Sequence, residues 1–172
     1  MGDGGNRKVS FLKVFCDMFR LIGCWFWAIA FVSFLAVIFV VQKYSIVIEP
    51  DKLPKTLIDI IPEIMGFLIA GLAIIMGFNE GALKRLSKPA NDGEIPLLVI
   101  VASFSVCLLI LLTSLILSIA FVNTNFVCEG CHKLLNAFVL YGAIISIESV
   151  IHVIFHLFAT GTFLVYDKKV DK

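Results

Sequence analysis

The sequence has little charge and no polar stretch long enough to fold as a separate soluble domain. Only 16% of its 172 residues are charged and the formal net charge is +1, so no basic field points to direct nucleic-acid binding. No P-loop, nucleophile elbow or His-Glu-x-x-His zinc motif occurs. We therefore expect a non-enzymatic protein without a resident cofactor or metal ion.

Apolar residues make up 60% of the chain and its mean hydropathy is +1.01, which is typical of an integral membrane protein. Spans are predicted at about 23–42, 57–78, 95–122 and 137–165. Asp59 is a plausible cap of the second span, with Pro62 in its first turn. A short surface helix is predicted from Glu80 to Ser87. The expected fold is an all-α, up-down bundle of four transmembrane helices over 23–166.

The flanking segments predict how the chain lies in the membrane. The pattern of residues 1–22 predicts a cytosolic arm with an amphipathic helix at the membrane surface. The alternative is a simple cytosolic extension of the first span. Ten Lys and Arg fall in this arm, the middle loop and the tail 167–172, against four in the other two loops. The positive-inside rule then places both termini in the cytoplasm of a cell whose inner (plasma) membrane holds the protein.

Small and hydroxyl-bearing residues recur at helical spacing on two spans, where they let helices approach closely and hydrogen-bond. We expect these positions to pack helices, within the chain or in a homo-oligomer. The middle loop offers a basic contact for a cytosolic partner protein. The packing positions are Gly66, Ala70, Ala73 and Gly77 on the second span and Ser103, Cys107, Ser114 and Ser118 on the third; the loop cations are Lys84, Arg85 and Lys88.

The fourth span carries ionisable residues, Glu148, His152 and His156, on one helical stripe. Charges in hydrocarbon are costly and often mark function. A b-type haem would need histidines facing each other from different helices, and a metal site would need a further ligand such as Glu63. A proton or ion path is a third interpretation, which makes a small ion channel an alternative function. A buried hydrogen-bond network facing the serines of the third span is the fourth.

Cys128 and Cys131 form a Cys-x-x-Cys-His pattern with His132, in the predicted external loop before the fourth span. This pattern is the attachment signature of c-type haem, although a short-loop disulfide or two free thiols fit it too. The pair also resembles the thiol motif of quinone-linked oxidoreductases, the vitamin K epoxide reductases and the bacterial disulfide-bond-forming membrane protein. Those families use a second cysteine pair, which the first external loop lacks. A quinone- or haem-linked redox protein is therefore an alternative.

The run GFLIAGLAIIMGFNEGALKRL, residues 66–86, is followed by a charged turn and a long third span. In this it resembles small four-span bacterial membrane proteins of anti-phage defence loci, including the membrane subunit of the Kiwa system. The resemblance covers about the middle third of the chain. It implies an oligomeric inner-membrane subunit that senses infection or perturbs the membrane together with a cytosolic partner.

Overall fold

The computed structural model describes residues 23–44, 52–77, 80–87, 95–123 and 129–170, and the side chains of these ranges apart from positions 80, 82, 85, 129–133 and 161–170. All regular structure within these ranges is helical. The five helices of the described ranges are α1 (Cys24–Tyr44), α2 (Leu53–Met76), α3 (Glu80–Leu86), α4 (Pro96–Asn123) and α5 (Glu129–Val170). The predicted amphipathic helix within residues 1–22 lies outside the described residues.

Within the described residues, four helices are long and apolar enough to cross a membrane: α1, α2, α4 and the stretch Leu134–Thr160 of α5. This confirms the all-helical class and indicates a multi-pass membrane protein. The whole of α5 has 42 residues, which makes it about 63 Å long at 1.5 Å per residue. Because a hydrocarbon core is about 30 Å thick, α5 continues well outside it.

The start of α2 differs from the sequence prediction. The helix begins at Leu53 and has a proline at its first or second position, where the missing N–H leaves no hydrogen bond broken. The Thr56 amide and hydroxyl both donate to the Lys52 carbonyl, at 3.0 Å and 2.9 Å. Asp59 is therefore inside the helix and caps nothing, and Pro62 is likewise interior. The prediction failed because Pro54 starts the helix one turn before the apolar run.

The helix α1 packs mainly on α5, α5 packs on α4, and α4 packs on α2. Val37 and Val41, near the end of α1, pack on Ala137 near the start of the α5 span. Phe26, near the start of α1, lies against His152 farther along α5. These pairs show that α1 and α5 are antiparallel and pack along most of the length of α1.

The largest buried cluster joins α2, α4 and α5. Its members are Ile61, Leu68 and Ile75 of α2, Ile100, Phe104, Cys107 and Leu111 of α4, and Val153 of α5. The three α2 residues are seven positions apart and so form one narrow stripe. The predicted short helix is confirmed as α3, whose Leu86 is fully buried and anchors the polar connection to the end of the bundle.

Candidate functional site

Glu148 lies in the middle of the α5 span and faces α1. The Ser33 hydroxyl of α1 donates to Glu148 Oε1 at 2.5 Å. The other carboxyl oxygen, Oε2, is buried and has no hydrogen-bond partner among the described residues. Since an unsatisfied carboxyl oxygen is costly in a low-dielectric environment, Glu148 Oε2 is available to accept a hydrogen bond.

His152 and His156 continue the same face of α5. Their Nε2 atoms are 3.0 Å apart, and the rings meet nearly edge to face, with centroids 4.4 Å apart at 81°. A hydrogen bond between two Nε2 atoms needs one to donate and the other to accept, so at least one ring is neutral. The Phe26 ring of α1 covers His152 at a centroid distance of 4.9 Å. We call Glu148, His152 and His156 the polar seam.

Two turns before Glu148, Tyr141 connects the seam's face of α5 to α1. Its hydroxyl donates to the Ala30 carbonyl at 3.3 Å, and its ring meets Phe34 edge to face at 5.1 Å. The carbonyl of Ala30 is already the acceptor of a helix bond, so the tyrosine uses its second lone pair. The contacts that hold α1 over the polar seam are therefore made by Ser33, by the Ala30 carbonyl, and by the rings of Phe26 and Phe34.

One of the four interpretations of the polar seam placed it against the serines of the third span, and the structure differs. α4 meets a neighbouring face of α5 that is formed by Gly142, Ser146 and Ser149. The Ser114 hydroxyl donates to the Gly142 carbonyl at 2.9 Å and accepts from Ser146 at 3.0 Å. Ser149 lies one position after Glu148, about 100° round the helix, which is why α4 and α1 contact separate polar faces.

The four small residues of α4 are all buried, whereas those of α2 are not. Cys107 lies 3.3 Å from the Ser149 hydroxyl on α5, and Ser103 and Ser118 hydrogen-bond to carbonyls of their own helix. Gly66, Ala70, Ala73 and Gly77 are exposed on the side of α2 opposite its buried stripe. The small-residue face of α2 therefore packs against nothing within the described chain.

The thiol pair of Cys128 and Cys131 falls largely outside the described residues. Cys128 lies outside the described residues, and Cys131 lies in the first turn of α5 with its side chain outside them. The haem and quinone hypotheses that depend on this pair therefore stay predictions. Of the three loop cations, Lys84 is exposed on α3, while the side chain of Arg85 and all of Lys88 fall outside the description.

A metal site receives no geometric support from the part of the chain that the structure describes. No group of three or more His, Cys, Asp or Glu side chains there is arranged to hold an ion. Glu63, the acid considered as a further ligand, is exposed on α2, which has no principal contact with the seam's side of α5. The ion-channel hypothesis also stays a prediction, with the seam covered by α1.

Sequence reasoning missed the α1 side of the site. Ser33 is the only serine or threonine in α1, and a lone hydroxyl in an otherwise apolar span is the signal that could have identified it. Gly142 was also missed. A Cβ built on Gly142 would lie 3.0 Å from the Ser114 hydroxyl oxygen, so the absent side chain lets α4 and α5 approach.

Comparison with known proteins finds no relative of this chain. No family model matches the chain, no curated protein matches its sequence, and no solved structure matches its fold. Any functional proposal therefore depends on the residues and contacts of this chain.

Proposed function

We propose that the protein is a non-enzymatic, multi-span inner-membrane subunit that self-associates and works with a cytosolic partner protein. It acts as a sensor or membrane effector of a prokaryotic antiviral defence or signalling system. The observation that carries self-association is the exposed small-residue face of α2, formed by Gly66, Ala70, Ala73 and Gly77.

This face suits a helix from a second copy. Nothing lies within 4 Å of the position a Cβ would take at Gly66, so the α2 backbone is open to close approach. The four residues form two small-xxx-small pairs, Gly66 with Ala70 and Ala73 with Gly77. Such pairs mediate helix association in bilayers, where close backbone packing replaces the hydrophobic driving force. Elsewhere the lipid-facing surface is bulky, as at Trp25 and Phe67, which are 81% and 77% exposed.

The proposed orientation is N-in and C-in, with the four spans running alternately up and down and the amphipathic helix of residues 1–22 on the cytosolic surface. Ten of fourteen Lys and Arg then lie in the cytoplasm, as the positive-inside rule prefers. The connection that contains α3 is cytosolic in this orientation. Lys84, which is exposed there, forms the partner contact together with Arg85 and Lys88.

The assignment to defence is supported by the resemblance of residues 66–86 to membrane subunits of anti-phage loci. The shortness of every connection also favours a role that needs a partner, because no described segment outside the spans is large enough to bury its own core.

The test is the mass of the complex purified in detergent or nanodiscs. We expect the wild-type chain to be oligomeric and Ala70→Phe to be mostly monomeric, because a ring on the small-residue face holds the helices apart. Ile60→Phe is the matched control. Ile60 is also exposed on α2 but lies about 80° or more round the helix from each small residue, so its variant should assemble like the wild type.

A wild-type chain that is strictly monomeric and binds no partner would refute the proposal. Partner binding is read from a pull-down of the proteins encoded beside this chain. Triple substitution of Lys84, Arg85 and Lys88 by glutamate should abolish it while leaving the oligomer intact. Loss of both together would show that the basic loop is needed for folding rather than for recognition.

A further inference from the structure

The hydrogen bond between His152 and His156, which we call the histidine pair, limits the charge that these two rings can carry. Their Nε2 atoms are 3.0 Å apart, so one nitrogen donates and the other accepts. One ring can be charged while the bond persists, because its Nε2 then donates to the neutral ring. When both rings are charged, both Nε2 atoms carry a hydrogen and the bond cannot exist. A second charge therefore separates the rings.

The histidine pair lies near the end of the α5 span that is level with the start of α1. Phe26, the third residue of α1, lies against His152. The apolar stretch of α5 ends at Thr160, four residues or about 6 Å beyond His156. Protons therefore reach the pair from the membrane surface at which α1 begins. In the orientation of the proposed function, on which this direction rests, that surface is the cytosolic one.

The start of α1 depends on few side chains besides His152. Within the described residues, Phe26 is the only α1 member of the buried cluster there, and Trp27 packs beside it. The Phe26 ring meets the Trp27 ring at 5.3 Å and the His152 ring at 4.9 Å. The second half of α1 is attached separately, through Ser33, Phe34, Val37 and Val41. A shift of the His152 ring therefore loosens only the first turns of α1.

A charged His152 has an acceptor to which it can turn. Glu148 lies one turn before it on the same face of α5, and Glu148 Oε2 is buried without a hydrogen-bond partner among the described residues. The Phe26 ring also attracts a cation, but a carboxylate attracts it more strongly because it accepts a charge-assisted hydrogen bond. Repulsion from a charged His156 acts in the same direction.

The remaining ionisable side chains of the described residues do not contact the pair. Those at α1, α2 and α3 are exposed, the α4 thiol contacts Ser149, and the α5 phenol donates to the Ala30 carbonyl. They are Cys24, Lys43 and Tyr44 at α1, Lys52, Lys55, Asp59 and Glu63 at α2, Lys84 of α3, Cys107 of α4 and Tyr141 of α5. The side chains of Glu80, Arg85 and residues 129–133 and 161–170 lie outside the description.

We propose that the histidine pair is a proton-operated switch, in which a second charge breaks the Nε2–Nε2 bond and releases the first turns of α1. His152 then turns towards Glu148, and Phe26 loses the ring against which it lies. Residues 1–22 precede α1 directly, so the released start of α1 passes the signal to the arm that the proposed function places in the cytoplasm. The switch is separate from the small-residue face of α2 and from the basic loop.

The experiment uses fluorine NMR of the full chain, labelled with fluorinated tryptophan, in nanodiscs of phosphatidylcholine as the pH falls from about 8 to about 4. The chain has two tryptophans, and both lie in α1. Trp27 packs beside Phe26, whereas Trp25 is highly exposed. We expect the Trp27 resonance to shift and that of Trp25 to stay in place. Acrylamide quenching of Trp27 in a Trp25→Phe variant should rise over the same pH range, because a released helix start exposes the indole.

Three histidine variants connect the shift to the pair. His152→Gln and His156→Gln each remove one ring and should abolish the Trp27 shift. His132→Gln is the matched control, because it removes the third histidine of the chain, at the other end of α5, and should respond like the wild type. If His152→Gln does not fold, His156→Gln decides alone.

Two results would overturn the switch. Nitrogen NMR of labelled histidines that shows both rings charged, while Trp27 keeps its resonance and its quenching, would show that the pair titrates without moving α1. A Trp27 shift that persists in His156→Gln would show that another group senses the protons. An external C-terminus, located with a cleavable tag, would refute the cytosolic direction and with it the proposed orientation, and a monomeric chain without a partner would refute the proposed function alone.

Discussion

The hydrogen bond between Ser33 and Glu148 can be measured by removing its donor. Ser33→Ala leaves Glu148 Oε1 without the hydroxyl that lies 2.5 Å from it, while Oε2 already has no partner in the described residues. Leaving a buried acceptor unsatisfied costs about 1–3 kcal/mol, whereas interhelical hydrogen bonds in membranes average about 0.6 kcal/mol. We therefore expect Ser33→Ala to lower the free energy of unfolding by about 1–2 kcal/mol.

A double-mutant cycle isolates the pair. Unfolding in mixed micelles by added SDS is measured for Ser33→Ala, Glu148→Leu and the double variant. Once Glu148 is leucine, Ser33→Ala should have almost no effect, so the coupling energy should be about 1 kcal/mol or more. The matched control is Ser105→Ala. The Ser105 hydroxyl donates to the Val101 carbonyl of its own helix at 2.8 Å, so its loss should cost less than about 0.5 kcal/mol.

The reasoning is refuted if Ser33→Ala is as mild in the wild-type background as in the Glu148→Leu background. The Ser33 hydroxyl would then contribute nothing through Glu148, and the contact of α1 with α5 would depend on its apolar residues alone.

Two further predictions concern the packing of α4. Gly142→Ala should destabilise the protein by about 1–2 kcal/mol, because its methyl would lie 3.0 Å from a Ser114 hydroxyl held by two hydrogen bonds. The same SDS titration measures it. The control is Gly71→Ala, whose methyl would meet the Phe104 ring at an ordinary 3.7 Å, and which should be neutral or slightly stabilising. Phe104→Ala should cost about 1–2 kcal/mol, less than in a water-soluble core because the unfolded helices remain in lipid. Leu112→Ala, at an exposed position of α4, is its control, and equal losses in the two variants would contradict a packed core around Phe104.

The membrane class and the helices could be predicted because long apolar runs have few other physical solutions in water or lipid. The helix α3 could also be predicted, from a polar stretch in which Glu80 and Lys84 have opposite charges at i, i+4 spacing. The start of α2 was not, since hydropathy marks where a span becomes apolar and Pro54 begins the helix earlier. Hydropathy indicates only where a span leaves the bilayer. The predicted fourth span therefore ends at about residue 165, whereas the helix α5 continues to Val170.

The candidate site was half predictable. Spacing alone places Glu148, His152 and His156 on one face of a helix. Which helix covers that face depends on shape, because the spans are apolar on nearly every side and no amphipathic pattern orients them. Gly142 and Ser149 direct α4 to the neighbouring face of α5, and Ser33 then meets Glu148, a contact between residues 115 positions apart.

The position of α1 against α5 has a consequence for biosynthesis. Of the described helices, α1 is made before the others, whereas its principal partner α5 is made after them. At about 5–20 residues per second, the 115 positions between Ser33 and Glu148 correspond to a delay of roughly 6–23 s. Throughout that interval α1 lies in the bilayer without its principal partner, and the Ser33 hydroxyl lacks the Glu148 carboxyl to which it later donates. Truncated chains that end before α5 should therefore insert α1 without fixing its position, and such chains would be substrates for membrane quality control.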